Sequence, residues 1–213
     1  MDNTNRLVTE SEAALSVWDY TSAILRRERP DMMQRTLGVV TLLVALGSSV
    51  GLRAEEKKPP TTLRGVLLEQ LRTTHDQEDW FVPASIAVAG LTADQAKWTP
   101  GAGQHSVGQL AYHLWFWDTQ SLARFKGEKP PAFSGNNDET FNDFTPAQWD
   151  DLVKKLNQVL TDWDTAVEQA DDKKLAENAS LIAHVGAHNA YHIGQIIYVR
   201  KLENAWDPSK GVK

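Results

Sequence analysis

The chain contains no cysteine, which excludes disulfides, thiolate metal sites and a cysteine nucleophile. Any metal must therefore sit on imidazole, carboxylate or amide groups. The absence says nothing about compartment, because a cysteine-free domain folds on either side of a membrane. Basic charge is also lacking. The net charge is -6 at pH 7, and no Lys/Arg cluster is dense enough to track a phosphate backbone, so nucleic acid is not an expected partner. Alternating strand patterns are weak beside the helical ones, and no internal repeat or low-complexity tract is present. What is there suits a folded protein: 41% hydrophobic and 23% charged residues in 213, enough for one ordinary domain and an extension.

Long apolar runs are missing as well, with one exception at residues 36–52, TLGVVTLLVALGSSVGL. Arg26, Arg27, Arg29 and Arg35 stand ahead of it, and Arg53-Ala54 and the polar stretch EEKKPP follow. A basic segment, an apolar segment and a small residue before a polar start have the pattern of a secretory signal peptide, with residues 36–54 as its hydrophobic region and cleavage site. Cleavage after Ala54 is expected. The competing expectation is an uncleaved anchor, short for a bilayer span, whose preceding arginines would hold the N-terminal side in the cytoplasm. Both place the rest of the chain in an exported, periplasmic or extracellular location. Met32 and Met33 lie just before the run, so residues 1–35 read as an N-terminal extension, with residues 1–31 an over-extended gene start.

Residues 62–204 carry four helical patterns. The first is expected over 62–80, with Leu63, Val66, Leu67 and Leu71 at helical spacing and Pro83 at its end or at a kink. Thr92 to Gln95 reads as a short capped turn. Ser106 and Gln109 read as the capping box of a second helix reaching Lys126. Residues 127–145 are rich in Pro, Gly and Asn and form a long loop. Thr145-Pro146 opens a third helix to Gln169, which Asp171-Asp172 closes. The fourth is expected over 180–202. The fold class is all-α, an antiparallel four-helix bundle.

The six histidines are His75, His105, His113, His184, His188 and His192. His188 and His192 lie four apart, one turn above the other, and interrupt the apolar stripe of Leu181, Val185, Ile196 and Val199. His113 lies between Leu110 and Leu114 on a face shared with Gln109 and Trp117. Three inward imidazoles are costly to bury unless their nitrogens are satisfied. One divalent ion satisfies all three and keeps a position open, as catalytic sites do. The plain alternative is three hydrogen-bonded core histidines. Gln109, Gln195, His75 and His184 are candidates to orient a ligand or to touch a substrate. Each has its own packing alternative, and His105 reads as a loop residue.

The segments HSVGQLAYHLWFW at 105–117 and HVGAHNAYHIGQIIYVRK at 184–201 resemble the DinB-like (YfiT-like) superfamily of metal-dependent proteins. The family pattern places one histidine in the second helix and a His-x3-His followed by Gly-Gln in the last, here His113, then His188 and His192, then Gly194-Gln195. The connection GLTADQAKWTPGAGQHS at 90–106 is similar too. The resemblance implies a four-helix bundle, a homodimer, and zinc or nickel on His113, His188 and His192. It also implies chemistry with low-molecular-weight thiols in several relatives. Ile193 stands where many members carry arginine.

Three neutral ligands leave an ion its full double charge, so hydrolysis and thiol transfer both follow from such a site. Asn189 stands where a His-Glu-x-x-His protease has its glutamate, which argues against that class. No general base is evident from spacing. Asp118 is expected to point well off the His113 face, and Asp138 or Glu139 of the long loop are the acids able to reach a site. Trp115 and Trp117 are either bundle core or a pocket wall. The leading expectation is an exported metal-dependent hydrolase or thiol transferase acting on a small molecule, with membrane contact only through an N-terminal anchor. The alternatives are a non-enzymatic, stress-related metal- or ligand-binding module and a metal-free helical interaction domain.

Overall fold

The computed structural model describes residues 58–141 and 146–211. The expected extension, signal or anchor lies outside them. Six helices form there: α1 (Leu63–His75), α2 (Ala84–Ala87), α3 (Ala93–Lys97), α4 (Val107–Lys126), α5 (Pro146–Gln169) and α6 (Asp172–Leu202). Single 3-10 turns cover Asn137–Thr140 and Pro208–Lys210, and no strand occurs among the described residues. No helix of the described part is long and apolar enough to cross a membrane.

Local chemistry explains most boundaries. Thr92 and Ser106 accept from the backbone N–H groups of Gln95 and Gln109, and those glutamines return to the cap N–H groups, so α3 and α4 both open on complete capping boxes. Gly127, with φ of 79°, ends α4 in the left-handed conformation that only glycine adopts without strain. Two expected boundaries are corrected. The first helix stops at His75 rather than Trp80: the Gln77 N–H turns back to the Arg72 carbonyl, five residues earlier, at 2.9 Å, and the chain must reach the extended Pro83. The last helix begins at Asp172, not near Ser180. Asp171 is its N-cap, accepting from the Lys174 N–H, so the acidic pair opens α6 instead of closing α5.

Four long helices make the bundle. Both α1 and α4 pack against α5 and α6. Their directions are mixed rather than wholly antiparallel. Trp115 lies by Lys155 and Phe125 by Trp163, so α4 and α5 run the same way. His113 lies by His188 and Phe125 by Lys174, so α4 and α6 run oppositely. Consecutive parallel helices need a long crossover, which residues 127–145 supply.

The core runs between all four helices, with Leu114, Leu156, Trp163, Ile182 and Ile196 at most 1% exposed. Two buried indoles are satisfied by backbone: Trp149 Nε1 donates to the Leu91 carbonyl at 3.0 Å and Trp163 Nε1 to the Asp118 carbonyl at 3.2 Å. Arg64 clamps the tight α5–α6 turn. Its Nη1 donates to the carbonyls of Val167, Glu168 and Ala170 at 2.8, 2.9 and 2.7 Å, and Nη2 to Asp172 at 2.9 Å. Carbonyls that have no partner inside α5 are thereby paired.

Candidate metal centre

The antiparallel α4–α6 contact brings three imidazoles together. One ring nitrogen from each of His113, His188 and His192 lies within 4.8 Å of the others. His188 and His192 meet because they sit one turn apart on α6, and His113 faces them from α4. The Nε2 atoms of His113 and His188 are 3.2 Å apart. His113 and His192 are buried and His188 half-buried.

The outer nitrogens fix two tautomers. His113 Nδ1 lies 2.6 Å from Thr140 Oγ1, and the Thr140 hydroxyl donates to the Asn137 carbonyl at 2.6 Å. Thr140 therefore accepts, His113 carries its proton on Nδ1, and its Nε2 lone pair faces the other histidines. His192 Nδ1 lies 2.6 Å from the Gln195 amide oxygen, and Gln195 Nε2 donates to the Tyr191 hydroxyl at 3.2 Å. His192 is thus also protonated on Nδ1, with Nε2 turned inward.

All three rings are held neutral. Burial, then the neighbouring His192, His188 and His105, depresses His113 from 6.5 to about 3. Burial and His188, against the hydrogen bond to Gln195, depress His192 to about 4. Burial also lowers His188, against a hydrogen bond from Asn189. Neutral imidazoles able to turn a lone pair each toward one point are the state that binds a transition ion. With no cation bound, His188 Nε2 is placed to donate to the His113 Nε2 lone pair 3.2 Å away. The residues fit a divalent ion.

The loop after α4 completes the site. Thr140 is fully buried. Phe141 lies between His105 and His113, stacked on them at ring distances of 3.8 and 4.1 Å with planes within 7°. A cavity of about 490 Å³ opens beside the triad. His113 and His188 form one part of its wall, and Trp117, Asp118, Leu181 and Val185 another.

The other expected residues fall as follows. Gln195 orients His192. Gln109 stands at the start of α4, its side-chain oxygen accepting from the Ser106 N–H at 3.0 Å, so it caps the helix. His75 pairs with Asp164 at 3.0 Å and ties α1 to α5. His184 is exposed, bonds the Ser180 carbonyl at 2.7 Å and lines the cavity without joining the triad. Trp117 is cavity wall, whereas Trp115 packs on Tyr112 and Lys155. Glu139 is exposed and accepts from Ser134 at 2.7 Å.

Asp118 corrects the expectation. It is 1% exposed and lines the cavity. Asn189 Nδ2 donates to its Oδ1 at 3.2 Å, and Oδ2 is buried with no partner. Burial raises it to about 7, against the Asn189 hydrogen bond and the nearby His75.

The sequence model of the DinB superfamily matches residues 84–196 of the 213, a stretch that contains all three histidines. No curated protein and no solved structure matches the chain.

Proposed function

The chain belongs to the DinB superfamily, and from that premise we propose that it is an exported metal-dependent enzyme, a hydrolase or thiol transferase. In this reading zinc or nickel is held by His113, His188 and His192, and a small molecule reacts in the adjoining cavity. The observation that carries the reading is a three-nitrogen donor set beside a cavity. Among the described residues no fourth histidine or carboxylate joins it. The two histidines best suited to close the shell, His75 and His184, are engaged with Asp164 and Ser180.

His113, His188 and His192 would hold a divalent ion, which would supply Lewis acidity and lower the pKa of a water or thiol. The chain's own residues do the rest. Thr140 and Gln195 keep the Nδ1 protons of His113 and His192 in place, which leaves Nε2 free on both. Trp117, Leu181 and Val185 give the cavity an apolar wall, which keeps bulk water from a bound substrate.

The second reading is a non-enzymatic metal-binding module with a closed coordination shell. Cobalt(II) loading separates the two. An open shell changes its visible spectrum when a thiol or azide is added. A spectrum that no added ligand moves overturns the enzyme reading.

Export rests on the sequence pattern of residues 26–54. N-terminal sequencing of the mature protein would find a start at Glu55 after signal cleavage, a start at or before Met33 would leave the uncleaved anchor, and recovery of the protein in the cytoplasmic fraction would argue against export. The homodimer implied by family resemblance is a proposal of the same kind, and sedimentation of the purified protein at micromolar concentration tests it.

A further inference from the structure

Deepening the reading of this site, we infer that the cavity beside the histidine triad binds a small molecule bearing an amine, with its ammonium group on the free oxygen of Asp118. The inference rests on the metal reading for the end of the ligand that faces the histidines. The amine end stands on separate observations.

Asp118 is the only carboxylate among the residues that line the cavity, and no Lys or Arg lines it among the described residues. The carboxyl group is 1% exposed. One oxygen is bound by the Asn189 amide, and the other has no donor. Buried oxygens are rarely left unpaired, and a buried carboxylate is costly until a donor or an opposite charge reaches it. The protein provides one donor of the two or more the group can use. Asp118 is a wall residue of the cavity, so a donor that reaches it from a bound ligand can provide the other.

The surroundings select the ligand's charge. A carboxylate or phosphate placed at Asp118 would meet it with no Lys or Arg in the wall to offset the repulsion, and the divalent ion proposed at the histidines would draw such a group to the opposite end. An ammonium meets a carboxylate and gains a charge-assisted hydrogen bond. Trp117, beside Asp118 in the wall, adds an aromatic neighbour of the kind that favours cations. Leu181 and Val185 bring apolar surface, so the carbon skeleton of the ligand is buried. The ligand is thus a primary or secondary amine on a compact apolar frame, with its reactive sulfur or oxygen function toward the histidines.

The test is calorimetric titration of the purified protein at pH 8 with 2-phenylethylamine, 2-phenylethanol and phenylacetate. These share one skeleton and differ in the group offered to Asp118. It is run first without metal, so that failure of the metal reading cannot mask the result, and then after zinc loading. In the metal-free protein the expected order is amine, alcohol, acid, with the amine ahead of the alcohol by at least roughly tenfold, the scale of one hydrogen bond to a charged group. In Asp118→Asn the amine should lose that advantage while alcohol binding stays as it was. Equal affinities for amine and alcohol in wild type overturn the inference whatever the variant does. The carboxyl is then spent on Asn189 as a closed acid–amide pair. An amine preference that survives in Asp118→Asn also overturns it, since the cation would be held elsewhere.

Discussion

Replacing Thr140 by valine keeps the side chain's shape and removes its hydroxyl. That hydroxyl accepts from His113 Nδ1 at 2.6 Å and donates to the Asn137 carbonyl at 2.6 Å. Thr140 is 0% exposed, so no water can take its place beside the His113 N–H. The substitution therefore frees the ring to rotate or to move its proton to Nε2, the nitrogen needed for the metal. Loss of such an outer partner typically weakens metal binding by about 10- to 100-fold, or roughly 1.4–2.7 kcal/mol. Complete burial puts Thr140→Val at the upper end. Gln195→Ala belongs at the lower end, because Gln195 is only half-buried and water can replace its oxygen. Thr140→Ser keeps the hydroxyl and should stay near wild type. Competition against a zinc-binding dye measures all three. If Thr140→Val binds zinc as tightly as wild type, the argument that the loop sets the tautomer of His113 is wrong.

The remaining predictions concern protons, a clamp and the core. His113 and His192 are held near 3 and 4 instead of 6.5, so they are already neutral at pH 6. Zinc affinity should then change little between pH 8 and 6, and a steep loss below pH 7 in competition titrations would show the rings to be ordinary solvent histidines. The same depression means the unfolded chain binds more protons than the folded one below pH 6.5. Metal-free stability should be full above that pH and fall as the pH drops toward 4, and urea midpoints that stay level over that interval would contradict it. Arg64→Ala strips three carbonyls at the end of α5 of their donor. Because the side chain is partly exposed, water compensates in part, and a loss of about 1–2 kcal/mol is expected in urea unfolding; an unmoved midpoint would show the clamp to be neutral. Trp163→Ala empties a site that is 0% exposed and should cost about 3–5 kcal/mol, read by the same unfolding curve.

The helices and the three histidines were legible because each is written in a period. His188 and His192 break an apolar stripe at one-turn spacing, and His113 sits within another, so burying the stripes buries the rings. Capping boxes at Thr92 and Ser106 marked two helix starts to the residue. The second box also shows why Gln109 could be read in two ways: the same side chain that fits a ligand face fits the N3 position of a cap, and its oxygen accepts from the Ser106 N–H. Asp118 was missed for a geometric reason. Five residues along a helix turn a side chain by about 140°, which takes it off the His113 face. Yet α4 packs against both α5 and α6, so it buries more than one face, and the carboxyl enters the bundle beside Asn189. Thr140 and Phe141 carry no periodic signal at all. They reach His113 across a long loop, and only the folded chain shows which loop residue meets which ring. The early start of α6 was hidden because Asp171-Asp172 reads equally well as the end of one helix and the cap of the next.

Metal content tests the central claim most directly. Wild type and a His113→Ala, His188→Ala variant would be purified without a histidine tag, incubated with zinc or nickel, desalted and measured by elemental mass spectrometry. The account predicts close to one ion per wild-type chain and none in the variant, with both proteins folded by circular dichroism. If wild type retains no more metal than the variant, the converging histidines are core residues of a helical bundle, and the metal centre proposed for this chain does not exist.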